Sequence, residues 1–89
     1  MSGVTREGEG FVVEAALLAE GLGLQADEVP ELMRSGQISS RCEKGTGEHE
    51  GRWRLSFRLG GRTLRLTVDG AGRILARARI GGVNRGSAG

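Results

Sequence analysis

The sequence is poor in the residues that most often announce an activity. Its 89 positions include one cysteine, one proline, one histidine, one lysine and no tyrosine, and the aromatics are limited to Phe11, Trp53 and Phe57. Cys42 alone cannot form an intramolecular disulfide, which removes the small secreted disulfide scaffolds from consideration. His49 alone leaves no paired histidine spacing for a metal and no recognised Ser–His or Cys–His signature for nucleophilic catalysis. Apolar runs fall short of the ~18 residues that a membrane span needs. Residues 1–10 carry charges and glycines where a signal segment would be apolar. These absences lead us to expect a cytoplasmic protein that is not an enzyme, takes no cofactor or metal and does not enter a membrane.

What is there is glycine, arginine and a divided charge. Residues 1–50 hold ten acids and four bases, a balance of −6, whereas residues 51–89 hold nine arginines against Asp69, a balance of +8. Such asymmetry points to an anionic partner surface or to self-association of unlike faces. A GC-rich genome also enriches arginine and glycine, so composition alone decides nothing. The length allows one core, and we expect one α+β domain over residues 1–80 with a disordered Gly/Ser-rich tail over 81–89.

Two periodicities divide the domain. Phe11, Ala15, Leu18 and Leu22 recur at helical spacing, predicting a helix from about Glu14 to Glu20 that ends at Gly21 and Gly23. A second helix is expected from Gln25–Asp27 to Ser35-Gly36, with Pro30 tolerated in its first turn and Val29, Leu32 and Met33 as its apolar face. Ahead of both, Val4 to Val13 reads as a short hairpin or irregular strand around Glu7-Gly8-Glu9-Gly10. From Ile38 the period becomes two. Strands 37–44 and 51–59 are joined by a six-residue loop, Gly60-Gly61 makes a two-residue turn, and Gly70-Ala71-Gly72 makes a three-residue turn. The expected fold is two short helices on one face of a four-stranded antiparallel meander.

Those three loops imply a register, since a one-residue slip inverts the faces. The core rows read Cys42–Trp53–Val68–Ile74, Ser40–Leu55–Leu66–Ala76 and Ile38–Phe57–Leu64–Ala78, with the two alanines leaving room for the helices. Cys42 is expected buried beside Trp53. On the other face a ladder Glu43–Arg52–Asp69–Arg73 alternates in sign. Beyond it lie Arg41–Arg54–Thr67–Leu75, Ser39–Ser56–Arg65–Arg77 and Gln37–Arg58–Thr63–Arg79. Six arginines, Arg41, Arg54, Arg58, Arg65, Arg77 and Arg79, would then share a patch free of acids. Guanidinium forks match carboxylates and phosphates, so this patch is the candidate partner site. The alternative is a solvated open face.

Other constellations are weaker. Cys42, Glu43, Glu48, His49 and Glu50 make an incomplete metal set. The glycines sit at turns, and none forms a strand–GxGxxG–helix phosphate loop. Ala19, Gly23 and Val29, with Leu18, Leu22, Leu24 and Leu32, follow helix-turn-helix spacing. Phe11 to Ile38 with Gly51-Arg52-Trp53-Arg54 resembles the small winged domains of excisionases and MerR-type regulators, which implies a nucleic-acid-binding regulator. Against that, the would-be recognition helix opens on Asp27, Glu28, Pro30 and Glu31, which would meet phosphates with carboxylates.

Taken whole, Phe11 to Ile80 resembles a family of small uncharacterised bacterial proteins, a domain of unknown function. The resemblance rests on Leu22-Gly23-Leu24, Val29-Pro30-Glu31-Leu32-Met33-Arg34, Ile38-Ser39-Ser40-Arg41-Cys42-Glu43 and Gly51-Arg52-Trp53-Arg54-Leu55. It implies no activity or site. The expected function is therefore a binding module whose arginine face takes an acidic protein surface or a second copy, with nucleic acid as the alternative.

Overall fold

The computed structural model describes residues 3–81. The tail expected over 81–89 lies outside them apart from Gly81. Within them the chain forms two antiparallel sheets and two helices, an α+β architecture. Strands β1 (Val4–Glu7) and β2 (Gly10–Val13) make the N-terminal hairpin, pairing Val4 with Val13 and Glu7 with Gly10. Helices α1 (Ala15–Leu22) and α2 (Val29–Arg34) follow. Strands β3 (Ile38–Lys44), β4 (Arg52–Leu59), β5 (Arg62–Asp69) and β6 (Ile74–Ile80) then form a four-stranded sheet in chain order.

The apolar stripe read from the sequence is the one α1 buries. Leu18 and Leu22 are buried, and Phe11 and Ala15 are half-buried beside them. The helix runs through Gly21 and ends on Gly23, which adopts a left-handed conformation. Gly21 marks close packing: a Cβ there would stand 2.5 Å from Leu64 Cδ2, so the missing side chain is what lets α1 settle onto β5. Arg62 reinforces the contact, its Nη1 donating to the Leu22 carbonyl at 2.7 Å. The second helix is tighter at its start than expected. A 3₁₀ turn over Ala26–Glu28 precedes α2, and the Gln25 N–H donates to Glu28 Oε1 at 2.8 Å. Val29 is buried and Leu32 half-buried, while Met33 is exposed.

The core lies between the helices and the two central strands. Leu64, Leu66 and Val68 of β5 are wholly buried, with Leu55 and Phe57 of β4 alongside. At the far end the hairpin takes over the covering role. Arg6 lies between two rings, its Cζ 5.0 Å from the Phe11 centroid and 4.7 Å from that of Trp53. Phe11 and Trp53 themselves meet edge to face at 5.6 Å. Arg6 also donates from Nε to the Gly8 carbonyl and from Nη1 to that of Gly70. Trp53 is thus a half-buried bridge between hairpin and sheet, on the core side as expected.

Two expectations about register need correction. In β3–β4, Cys42 opposes Leu55 and Lys44 opposes Trp53, a slip of two residues from the expected pairing. The connection is two residues longer, since Lys44 now pairs with Trp53 across residues 45–52: a 3₁₀ turn over Gly47–His49 leads into Gly51 at φ 88°, and Gly45 N–H donates to the Arg52 carbonyl. A slip of two keeps the faces and changes the neighbours. Cys42 is exposed, as is the rest of β3 beyond Ile38, because helices and hairpin cover the central strands and leave this edge strand open.

In β5–β6 the three-residue turn forms as expected, and Val68 opposes Ile74. The pairing then shifts, so that Thr67 opposes Ala76 and Leu75 is left as an extra residue. This β-bulge inverts the rest of β6. Ala76, Ala78 and Ile80 oppose Thr67, Arg65 and Thr63 on the outer face, while Arg77 and Arg79 oppose Leu66 and Leu64 on the helix side. The alanines therefore do not make room for the helices.

Candidate functional site

The outer face of the four-stranded sheet is left uncovered by the described helices and hairpin, and β3, β4 and β5 carry its basic residues. Residues directly opposed on antiparallel strands share a face. One row across it is Glu43–Arg54–Thr67–Ala76, the next Arg41–Ser56–Arg65–Ala78, and the third Ser39–Arg58–Thr63–Ile80. Four of the six expected site residues, Arg41, Arg54, Arg58 and Arg65, are thus brought together.

Arg77 and Arg79 are not among them. The bulge turns both to the helix side, where Arg77 Nη1 lies 3.6 Å from Glu20 Oε1. Nor is the patch free of acid. Glu43 stands opposite Arg54, and its Oε2 is 3.8 Å from Arg41 Nε, with both side chains largely exposed. Pairs of that length and exposure contribute little to stability and leave the guanidinium open to competition.

The expected charge ladder is also incomplete. Arg52 does oppose Asp69, but Glu43 has moved on to Arg54. Asp69 is committed to its own turn: its Oδ1 accepts from the Arg73 N–H at 2.9 Å and the Ala71 N–H at 3.0 Å, and its Oδ2 from Arg73 Nε at 2.8 Å. The Arg73 backbone N–H is the main cause holding its carboxyl below the ordinary carboxylate range, with partial burial working the other way.

Arg65 sits at the middle of the face and is half-buried, between Ser56 and Ala78. Its Nε is shielded from solvent and has no hydrogen-bond partner within the described residues. Around it, Ser39, Arg41, Ser56, Arg58, Thr63 and Ile80 line a depression of about 610 Å³. A neighbouring depression of about 610 Å³ is lined by Glu43, His49, Arg52, Arg54, Thr67 and Leu75 among others. The face is therefore contoured, basic over β3 and β4, and apolar along β6.

Ile80, 42% exposed, is the residue that reading the sequence put on the wrong face, while Leu75, 49% exposed, lies on the outer side as expected. A strict period of two puts Ile80 inside with Ile74, and nothing in the local sequence announces the bulge that reverses it.

The family comparison carries no chemistry to set beside this geometry. Residues 1–86 match the family of unknown function DUF6522. The chain belongs to that family. No curated protein and no solved structure matches it. For this DUF6522 chain, then, the site has to be argued from its own residues. Among those described, no group of three or more His, Cys, Asp or Glu comes together, and no helix is long and apolar enough to cross a membrane.

Proposed function

We propose that this protein is a non-enzymatic binding module whose uncovered sheet face receives an acidic protein surface. The observation that carries the reading is the convergence of Arg41, Arg54, Arg58 and Arg65 on one exposed face, with Glu43 the acid nearest to them and Asp69 already held by Arg73. Like charges gathered this way repel unless a partner neutralises them, and guanidinium groups suit carboxylates.

A second copy offers acids on its helical side, at Glu20, Asp27, Glu28 and Glu31. Joining that side to a sheet face is a head-to-tail contact, which leaves a further free face on every copy until a ring closes. We therefore take a different protein as the partner. The same proposal assigns the protein to the bacterial cytoplasm, where a single exposed thiol such as Cys42 stays reduced.

Nucleic acid is the competing class. Trp53 borders one depression of the sheet face but its ring is engaged by Arg6 and Phe11, and no second aromatic stands there for base stacking. The helix pair opposes a groove with carboxylates: α2 has six residues, with Glu31 in its first turn and Asp27 and Glu28 just ahead.

The test compares a fluorescent glutamate-rich peptide with a single-stranded oligonucleotide of equal charge. Native protein should prefer the peptide, and Arg58→Ser with Arg65→Ser should weaken it on the order of tenfold or more, roughly one charged contact's worth. Preference for the oligonucleotide, with a salt slope that the double variant reduces, would move the assignment to nucleic acid.

A further inference from the structure

The outer face has two chemistries side by side, and the bulge at Leu75 creates the second. By turning Ala76, Ala78 and Ile80 outward, it lays an apolar strip along β6, with Leu75 and Ile80 about half exposed at its two ends. Parallel to that strip, Arg54 and Arg58 on β4 and Arg65 on β5 make a basic one. Strands stand about 4.8 Å apart, so β4 and β6 are separated by roughly 10 Å, close to the width of one α-helix. Leu75 to Ile80 extends about 17 Å, the length of roughly eleven or twelve helical residues.

We propose that the acidic partner is an amphipathic helix of another protein. It lies along β5 with an apolar stripe on Leu75, Ala78 and Ile80 and an acidic stripe on Arg54, Arg58 and Arg65. This inference rests on the acidic-partner reading above and adds the partner's shape. Charge complementarity selects the acidic stripe, and the exposed leucine and isoleucine select the apolar one, which a polyanion without an apolar side would leave in water. A second copy does not supply such a helix. Its α1 buries Leu18 and Leu22 in its own core, and its α2 spans six residues, about half the length of the strip.

The central Arg65 fits the role. Among the described residues no acceptor engages its Nε, so the guanidinium keeps bonding capacity for a carboxylate seated between it and Arg58. Ser39, Ser56 and Thr63 border the same depression and can donate to the remaining carboxylate oxygens.

The test uses two synthetic peptides of identical composition, each about fourteen residues long, roughly 21 Å as a helix. One places leucine at i, i+4, i+7 and i+11 and glutamate one residue after each, which sets two stripes side by side. The other scrambles the order and has no stripes. Fluorescence anisotropy at physiological salt should give binding of the striped peptide at least about tenfold tighter than the scrambled one. Isotope-labelled striped peptide should show helical carbon shifts when bound. Ile80→Ser, alone and with Leu75→Ser, should remove that advantage and leave the scrambled peptide unaffected, whereas Arg58→Ser with Arg65→Ser should weaken both peptides. Equal binding of the two peptides, or an extended bound conformation paired to the β6 edge, overturns the helical partner and leaves the acidic-partner reading standing. No binding of either peptide removes both.

Discussion

Arg77 and Glu20 meet across the helix side of the sheet, Nη1 to Oε1 at 3.6 Å. The contact ties the last strand to α1 and shows where the β6 arginines went. One extra residue at Leu75 is enough to move Arg77 and Arg79 from a basic outer face to the side that carries the acids.

That separation makes the two arginine pairs distinguishable. Arg77→Ser with Arg79→Ser should leave binding of an acidic peptide unchanged, while Arg58→Ser with Arg65→Ser abolishes most of it. Because the Arg77–Glu20 pair is largely exposed, its loss should cost no more than about 0.2–1 kcal/mol. Equal loss of binding in both double variants, read by anisotropy, would mean that net charge matters and the face does not.

Cys42 should react freely. It is exposed on the uncovered part of β3, so a thiol reagent should modify native protein at nearly the rate seen in denaturant. Strong protection in the native state would put this strand under cover and move its register back toward a buried Cys42.

Gly21→Ala sets two effects against each other. Alanine favours a helix by about 1 kcal/mol over glycine. Here its Cβ would stand 2.5 to 2.9 Å from three carbons of Leu64, a residue with no exposure. Overpacking of that kind costs about 1–3 kcal/mol. The clash should prevail, and denaturant titration should find the variant less stable. A gain in stability would mean that α1 stands further from β5.

Asp69 gives the fold an acid-sensitive turn. Its lowered pKa, due first to the Arg73 N–H, means that the folded chain binds this proton less readily than the unfolded chain. The contribution is therefore present above the ordinary carboxylate pKa and is lost as pH falls through the lowered one. Asp69→Asn should be less stable at neutral pH, with its melting temperature converging on that of the native protein in strong acid. Parallel curves would show that these hydrogen bonds do not form in solution.

Much of the architecture was legible because it depends on neighbours in the chain. The stripe from Phe11 to Leu22, the turns at Gly60-Gly61 and Gly70-Ala71-Gly72, and the switch to period two at Ile38 are all short-range patterns. The β4–β5 pairing followed correctly from its turn alone. The other two pairings erred for the same reason. Each depends on one or two residues that local pattern does not weigh: two more in the connection through Gly51, and Leu75 in β6.

The candidate site divides along that line. Arg54, Arg58 and Arg65 were assigned to the right face by alternation along β4 and β5, whose turn is tight and whose inner residues are deeply buried. Arg41 kept its face because a slip of two preserves parity, although its neighbours changed. Burying Leu64, Leu66 and Val68 requires the alternation of the central strands, and the sequence by itself determined that much. The tertiary structure alone decided the edges. There, little apolar surface is at stake, so a bulge or a longer loop costs little. The bulge at Leu75 and the longer connection through Gly51 then set which side chains the open face presents.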